Sequence, residues 1–133
     1  MNQNHALSQY NQVSLHTSVT DASPHKLIDL LLLGFLERVA QARVAILNNK
    51  IEMKGNRISK AIDILAGLRA ALDFEKGGKV ATNLDDLYEY MTHLLISANL
   101  NNDLKKCDEA TDLMRVIRDG WNGLDLKAIE EHK

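Results

Sequence analysis

Proline occurs once in this sequence of 133 residues, at position 24, and residues 25–133 contain none. Proline interrupts helices and is common in turns, so its absence over such a length favours long helices over a turn-rich β fold. Hydrophobic residues make up 45% of the chain and charged residues 26%, which is typical of a folded globular protein. At this length the sequence predicts a single all-α domain over residues 1–133.

Apolar residues recur at three- and four-residue intervals in four segments, which predicts four amphipathic helices. The segments are 24–47, 55–74, 83–100 and 102–121. Ser23 and Pro24 favour a helix start, because serine caps a free amide and proline suits the first helical position. Gly77 and Gly78 are interpreted as a turn. Since the loops are short, we expect an antiparallel four-helix bundle with a short extra N-terminal helix or capping segment.

The predicted domain has three parts. Residues 1–22 are polar and weakly patterned, so we expect a mobile N-terminal cap, followed by the bundle over 23–121 and a C-terminal tail over 122–133. Helix one is apolar on nearly every side around residues 30–36, and helix three carries an unusually wide apolar stripe. Either neighbouring helices cover these faces, or part of them binds another protein.

Charge and hydropathy argue against nucleic acid and membrane as partners. The net charge of -2 comes from well-mixed acids and bases, which disfavours nucleic acid. The longest apolar stretch, residues 30–36, is far too short to insert in a membrane. The first ten residues lack a secretory signal, and the single cysteine, Cys107, favours a reducing compartment. We therefore expect a cytoplasmic protein.

The pattern of reactive side chains predicts neither an enzyme nor a metal or cofactor site. The five histidines are scattered along the chain. Di-iron bundles use a Glu and a His three residues apart on each of two helices, whereas Glu89 and His93 are four residues apart and no second such pair exists. Cys107 lies in the apolar stripe of helix four, where a thiol packs in the core rather than acting as a nucleophile. Two alternatives to a protein-binding module stay open: a helical phosphotransfer or other bundle enzyme that uses His93, and a homo-oligomeric structural module.

A set of short motifs, in order along residues 10–121, resembles the flagellar secretion chaperone family (FliS). The matching residues are Tyr10 and Val13, 22–28, 60–62, Leu72 and Asp73, 75–84 (EKGGKVATNL), 87–91, 94–95, 98–100, 102–103 and Trp121. Leu32 and Leu33 depart from the pattern, because the family often has an aromatic and an acidic residue at these places.

The resemblance implies a cytoplasmic export chaperone with no enzymatic activity. Such a chaperone binds the disordered C-terminal segment of flagellin in hydrophobic grooves, prevents premature polymerisation and delivers the subunit to the flagellar type III export apparatus. Export gate components, an anti-sigma factor and a homodimer are the further partners that the resemblance and the apolar surplus suggest. The family is also implied to cover its empty groove with the N-terminal segment, here with Leu7 and Tyr10.

The groove is expected between helix two and helix three, because the apolar stripe of helix three is wider than one core contact requires. The predicted client-binding residues are Ile62, Leu65 and Leu68 of helix two, with Leu84, Leu87, Tyr88, Met91 and Leu95 of helix three.

Overall fold

The computed structural model describes the backbone of residues 23–132 and the side chains of residues 23–123. It contains the helices α1 (Pro24–Leu47), α2 (Ile51–Ala70), α3 (Phe74–Asn101) and α4 (Leu104–His132). This part of the chain has no strand, and the predicted all-α fold is confirmed. The expected N-terminal cap, with Leu7 and Tyr10, lies outside the described residues.

The four helices pack in a ring. Each of α1, α2 and α3 contacts the next helix, and α4 also packs on α1. Because the connections at residues 48–50, 71–73 and 102–103 are short, consecutive helices run in opposite directions. Arg43 Nε, near the end of α1, donates to Asp108 Oδ1 near the start of α4 at 2.8 Å, as antiparallel neighbours require. The architecture is the expected antiparallel four-helix bundle.

Local sequence chemistry sets the start of α1 as predicted. The Ser23 Oγ accepts a hydrogen bond from the Lys26 amide at 3.1 Å, and Pro24 occupies the first helical position. The helix ends at Leu47, with Asn48 as its C-cap and Asn49 in the left-handed region at φ 55°. Asparagine tolerates this conformation better than most residues, so the pair ends the helix sharply.

The predicted starts of α2 and α3 are wrong. Helix α2 begins at Ile51 rather than 55, because the Lys50 carbonyl already accepts a helical hydrogen bond from the Lys54 amide at 2.9 Å. Helix α3 begins at Phe74 rather than 83, because the Asp73 carboxylate accepts from the Lys76 amide at 3.0 Å and caps it there. Gly78 then interrupts the helical geometry with φ 51° and ψ -125°, so the turn expected at Gly77 and Gly78 is present as a kink between a short first segment and the rest of α3.

Helix α4 is longer than the sequence predicted. Its backbone is helical from Leu104 to His132, so the segment expected as a tail after Trp121 continues the helix. The preceding Asn102 adopts φ 51° and closes the C-terminus of α3. The Asp103 carboxylate then accepts from the Lys105 amide at 3.0 Å as α4 begins.

The core runs along the bundle axis and takes side chains from all four helices. Its largest fully buried side chains are Leu32, Phe35, Val39, Ile58, Leu65, Met91, Leu95, Cys107 and Met114. Helix α1 is packed between α2 and α4. Residues 31, 32, 34 and 35 are buried and residues 30, 33 and 36 are half-buried, so the bundle covers most of the segment that is apolar on nearly every side.

Polar side chains close the bundle at the end that holds the α1–α2 and α3–α4 connections. Lys54 is buried, and its Nζ donates to the Asn99 carbonyl at 2.8 Å and to Asn102 Oδ1 at 2.7 Å. A cation at this point satisfies carbonyls at the end of α3 and interacts favourably with the helix dipole. This end of the bundle is tied together, whereas the other end is open.

Candidate functional site

An apolar cleft of about 640 Å³ lies at the end of the bundle where α1 and α3 begin. All four helices contribute to it. Its lining residues are Ile28, Leu32, Leu68, Ala71, Leu72, Asp73, Gly77, Val80, Ala81, Leu84, Tyr88, Val116, Ile117, Gly120 and Trp121. The lining has one charged residue, Asp73, whose carboxylate already caps α3. The cleft is therefore suited to apolar side chains.

The cleft has a buried floor and exposed rims. Leu32, Leu68 and Tyr88 are nearly inaccessible, so they form the floor. Val80 on α3 is 63% exposed and Val116 on α4 is 71% exposed, and both line the cleft. Exposed aliphatic side chains above an apolar floor offer surface whose burial by a partner is favourable.

Tyr88 is one of the predicted client-binding residues. The side chain lies in the floor, and burial raises its pKa to about 12. The phenol therefore stays neutral at physiological pH. Tyr90 points elsewhere: it is exposed, and its hydroxyl donates to the Glu109 carboxylate, which raises the pKa of Tyr90.

A stacked pair of rings fixes the α4 wall of the cleft to α1. The His25 and Trp121 rings lie 4.4 Å apart and 8° from parallel. The indole Nε1–H donates to the His25 carbonyl at 2.9 Å, and His25 Nε2 lies 2.8 Å from the Trp121 carbonyl. Since a carbonyl only accepts, Nε2 carries the proton in this contact. Trp121 is thus held at the cleft, where it is half-buried.

An ion pair one turn further along α1 also joins α1 to α4. The Arg118 guanidinium donates to both oxygens of Asp29 at 2.8 and 3.3 Å, and Asp29 is only 4% exposed. Burial opposes ionisation of Asp29, but the hydrogen bond and charge of Arg118, with Asn122 and Lys26, outweigh it and lower the Asp29 pKa. We call His25, Asp29, Arg118 and Trp121 the α1–α4 clasp.

The reactive side chains singled out in the sequence lie away from the cleft lining. The Cys107 thiol is buried in the core as predicted, and burial raises its pKa, so it is a poor nucleophile. His93 lies on the exposed face of α3. The described side chains include no group of three or more His, Cys, Asp and Glu arranged to hold a metal ion. Residues 23–132 likewise include no helix long and apolar enough to cross a membrane.

The predicted client-binding residues fall into three groups. Leu68, Leu84 and Tyr88 line the cleft. Ile62 and Leu87 are half-buried outside it. The remaining three, Leu65, Met91 and Leu95, are fully buried in the core.

The cleft also contains residues that the sequence prediction left out. Ile28 and Leu32 come from α1, and Val116, Ile117 and Gly120 come from α4. The apolar surplus of helix one around residues 30–36 was a signal for Leu32. Val116 and Gly120 gave no signal, because a lone valine and a glycine on a charged helix look like ordinary surface residues.

Comparison with known proteins identifies close relatives of this chain. The family model described as flagellar protein FliS matches residues 6–128. The flagellar secretion chaperone FliSB of Pseudomonas aeruginosa is 51% identical over 119 residues, which cover 90% of this chain and 94% of that relative. The flagellar secretion chaperone FliS of Salmonella typhimurium is 42% identical over 123 residues, covering 92% and 91%. That of Vibrio cholerae is 38% identical over 117 residues, covering 88% and 86%.

Proposed function

The chain belongs to the flagellar protein FliS family, and from this premise we propose that it is a cytoplasmic export chaperone whose client is flagellin. The membership confirms the resemblance found in residues 10–121. Its relatives are named flagellar secretion chaperones, which supports a role in binding a client rather than in catalysis. The single observation that most supports client binding is the open apolar cleft at one end of the bundle.

The client segment that we propose for the cleft is the C-terminal segment of flagellin. Each aliphatic side chain that it buries contributes about 1.5–3 kcal/mol, so three of them give about 5–9 kcal/mol gross. Ordering a disordered segment and restricting its overall motion offset much of this gain, so binding is weaker than the buried area alone would suggest. Covering this segment would prevent premature polymerisation and keep the subunit ready for transfer to the flagellar type III export apparatus.

Within the cleft, we propose that Leu68, Leu84 and Tyr88 contact the client directly. Ile62 and Leu87 would extend the contact along the surface of α2 and α3. Leu65, Met91 and Leu95 support the floor from the core, and a client would reach them only after the helices separate.

The N-terminal segment is proposed as the lid of the empty cleft, with Leu7 and Tyr10 as its apolar contacts. The support is positional. Helix α1 begins at Pro24, and its residues Ile28 and Leu32 line the cleft, so residues 1–22 join the bundle at the open end. A client would displace this lid as it binds. Export gate components and an anti-sigma factor are proposed as further partners through family membership alone.

The proposal predicts that Leu84→Asp weakens client binding by about tenfold or more, because a carboxylate in the cleft must lose its hydration when the client covers it. Ile96→Asp is the matched control, since Ile96 lies on the same helix, is 44% exposed and does not line the cleft. Isothermal titration calorimetry of each 133-residue variant with the C-terminal segment of flagellin measures the two dissociation constants. Equal affinities of the two variants would contradict this site.

The two alternative functions make different predictions for the same preparations. A phosphotransfer enzyme would lose its activity in His93→Ala, whereas a chaperone with this cleft would bind its client unchanged. A homo-oligomeric module would show a multiple of the monomer mass in light scattering, and added client segment would not alter that mass.

A further inference from the structure

The α4 wall of the cleft has a notch at its centre. At about 100° per residue, Val116, Ile117, Gly120 and Trp121 form one stripe on α4, with Gly120 between Val116 and Ile117 in angle. Its three neighbours carry large apolar side chains, whereas Gly120 carries none. Gly120 is exposed, and a Cβ built on it would meet no atom within 4 Å. The space above its backbone is open.

The protein's own packing does not require a glycine at this position. At Gly77, which also lines the cleft, an added Cβ would lie 2.8 Å from the Ala81 Cβ, so the local fold explains that glycine. Gly120 has no such neighbour and an ordinary negative φ. A glycine inside a helix costs about 1 kcal/mol relative to alanine. Gly120 therefore lowers the stability of α4 and leaves room in the cleft.

We propose that Gly120 determines client specificity, and that its notch accepts one aliphatic side chain of the client; this inference rests on the proposed function. Packed helices and segments interlock when a side chain of one enters a gap in the other. The walls of this gap are Val116, Ile117 and Trp121, which are apolar, so the side chain that fits is leucine, isoleucine, valine or methionine. The α1–α4 clasp holds Trp121, and with it one wall of the notch, in place.

A size series at position 120 tests the proposal. Gly120→Ala, Gly120→Val and Gly120→Leu fill the notch progressively, and we expect affinity for the flagellin C-terminal segment to fall in that order, by about ten- to a hundredfold for leucine. Gly55→Leu is the matched control, because Gly55 is also helical with open space around it but lies on α2 outside the cleft. The affinity of Gly55→Leu for the flagellin segment should equal that of the wild type. Thermal melting of each variant should show no loss of stability at either position.

A rescue experiment distinguishes a filled notch from a general disturbance. Each aliphatic residue of the client segment is changed to alanine and titrated against wild type and Gly120→Leu. At one client position the alanine should weaken binding to wild type but restore binding to Gly120→Leu by about tenfold, since the smaller side chain no longer meets the added leucine.

The outcomes distinguish a failure of the proposed function from a failure of the notch. If wild type does not bind the segment, the proposed function fails, and the notch fails with it. If wild type binds and the Gly120 series shows no trend with size, the notch is overturned and the proposed function stands. If Gly55→Leu weakens binding as much as Gly120→Leu, or no client alanine rescues binding, the notch is also overturned.

Discussion

His25 and Asp29 lie one turn apart on α1 and bind Trp121 and Arg118 on α4, respectively. These contacts lie at the end of the bundle where the helices otherwise leave a cleft. The stacked rings and the bidentate ion pair fix the orientation of α4 on α1 as well as the distance between them, because each contact is directional. At the scale of the residue, the clasp gives the cleft one rigid wall.

The Asp29 pKa predicts how the clasp responds to acid. The pKa is lowered in the folded protein from its ordinary value of 3.8. The stabilisation is therefore complete above that value and is lost as pH falls through the lower, folded-state pKa. We expect Asp29→Asn to reduce the free energy of unfolding at neutral pH by about 2 kcal/mol, and to remove this part of the acid dependence. Urea unfolding followed by circular dichroism at pH 7 and pH 3 measures both effects.

Asp108→Asn is the control for that measurement. It removes the partner of Arg43 in an ion pair of similar length, 2.8 Å, but the two side chains there are 42% and 50% exposed, against 6% for the Asp29 side chain. Exposed pairs contribute little because water screens them. A loss at Asp108 as large as that at Asp29 would show that burial of the clasp is not what makes it stabilising.

At the scale of the element, α3 shows what one glycine does to a helix. Its first turn is capped by Asp73, and Gly78 then redirects the chain with φ 51° and ψ -125° before the helix resumes. Residues with a side chain rarely adopt this backbone conformation, whereas glycine does so without strain. Since Gly77, Val80 and Ala81 line the cleft, the kink shapes its α3 wall.

We predict that Gly78→Ala lowers the free energy of unfolding by about 1–3 kcal/mol, because alanine is strained at this backbone geometry. Gly55→Ala should instead raise it by up to about 1 kcal/mol, since Gly55 is an ordinary helical residue with open space around it. Thermal or urea unfolding of the two variants compares them directly. Equal shifts in the same direction would mean that Gly78 is not constrained as described.

Within residues 23–132, the sequence predicted the number, order and type of helices because their apolar periodicity and the Ser23–Pro24 start are local signals. It placed the start of α3 nine residues too late (83 against 74), because a Gly77-Gly78 pair is typical of a break between helices. Whether a glycine kinks a helix or ends it depends on how the neighbouring helices pack on the residues beyond it. Apolar periodicity does not contain that tertiary information.

The candidate site was predictable only in part, and α3 shows why. Leu84, Tyr88, Met91 and Leu95 share one stripe, yet the first two line the cleft and the last two are in the core. A stripe specifies the direction in which side chains point and not the depth at which each lies. Depth is set by how far the neighbouring helices separate at that level of the bundle, which is a tertiary property.

At the scale of the whole molecule, the two ends of the bundle differ. The buried Lys54 ties one end together through the Asn99 carbonyl and the Asn102 side chain, while the other end is open above Leu32, Leu68 and Tyr88. The open end is also where α1 begins, which is the reason for proposing residues 1–22 as the lid that a client displaces. In our account, the closed end stabilises the bundle and the open end binds the client.

The most direct test of this account is to locate the client on the protein by nuclear magnetic resonance of labelled valine methyl groups. Val80 and Val116 lie on the rims of the cleft, whereas Val44 is 54% exposed near the closed end. On titration with the C-terminal segment of flagellin, we predict that the methyl signals of Val80 and Val116 shift and those of Val44 do not. Shifts confined to Val44, with Val80 and Val116 unchanged in the bound state, would contradict the account.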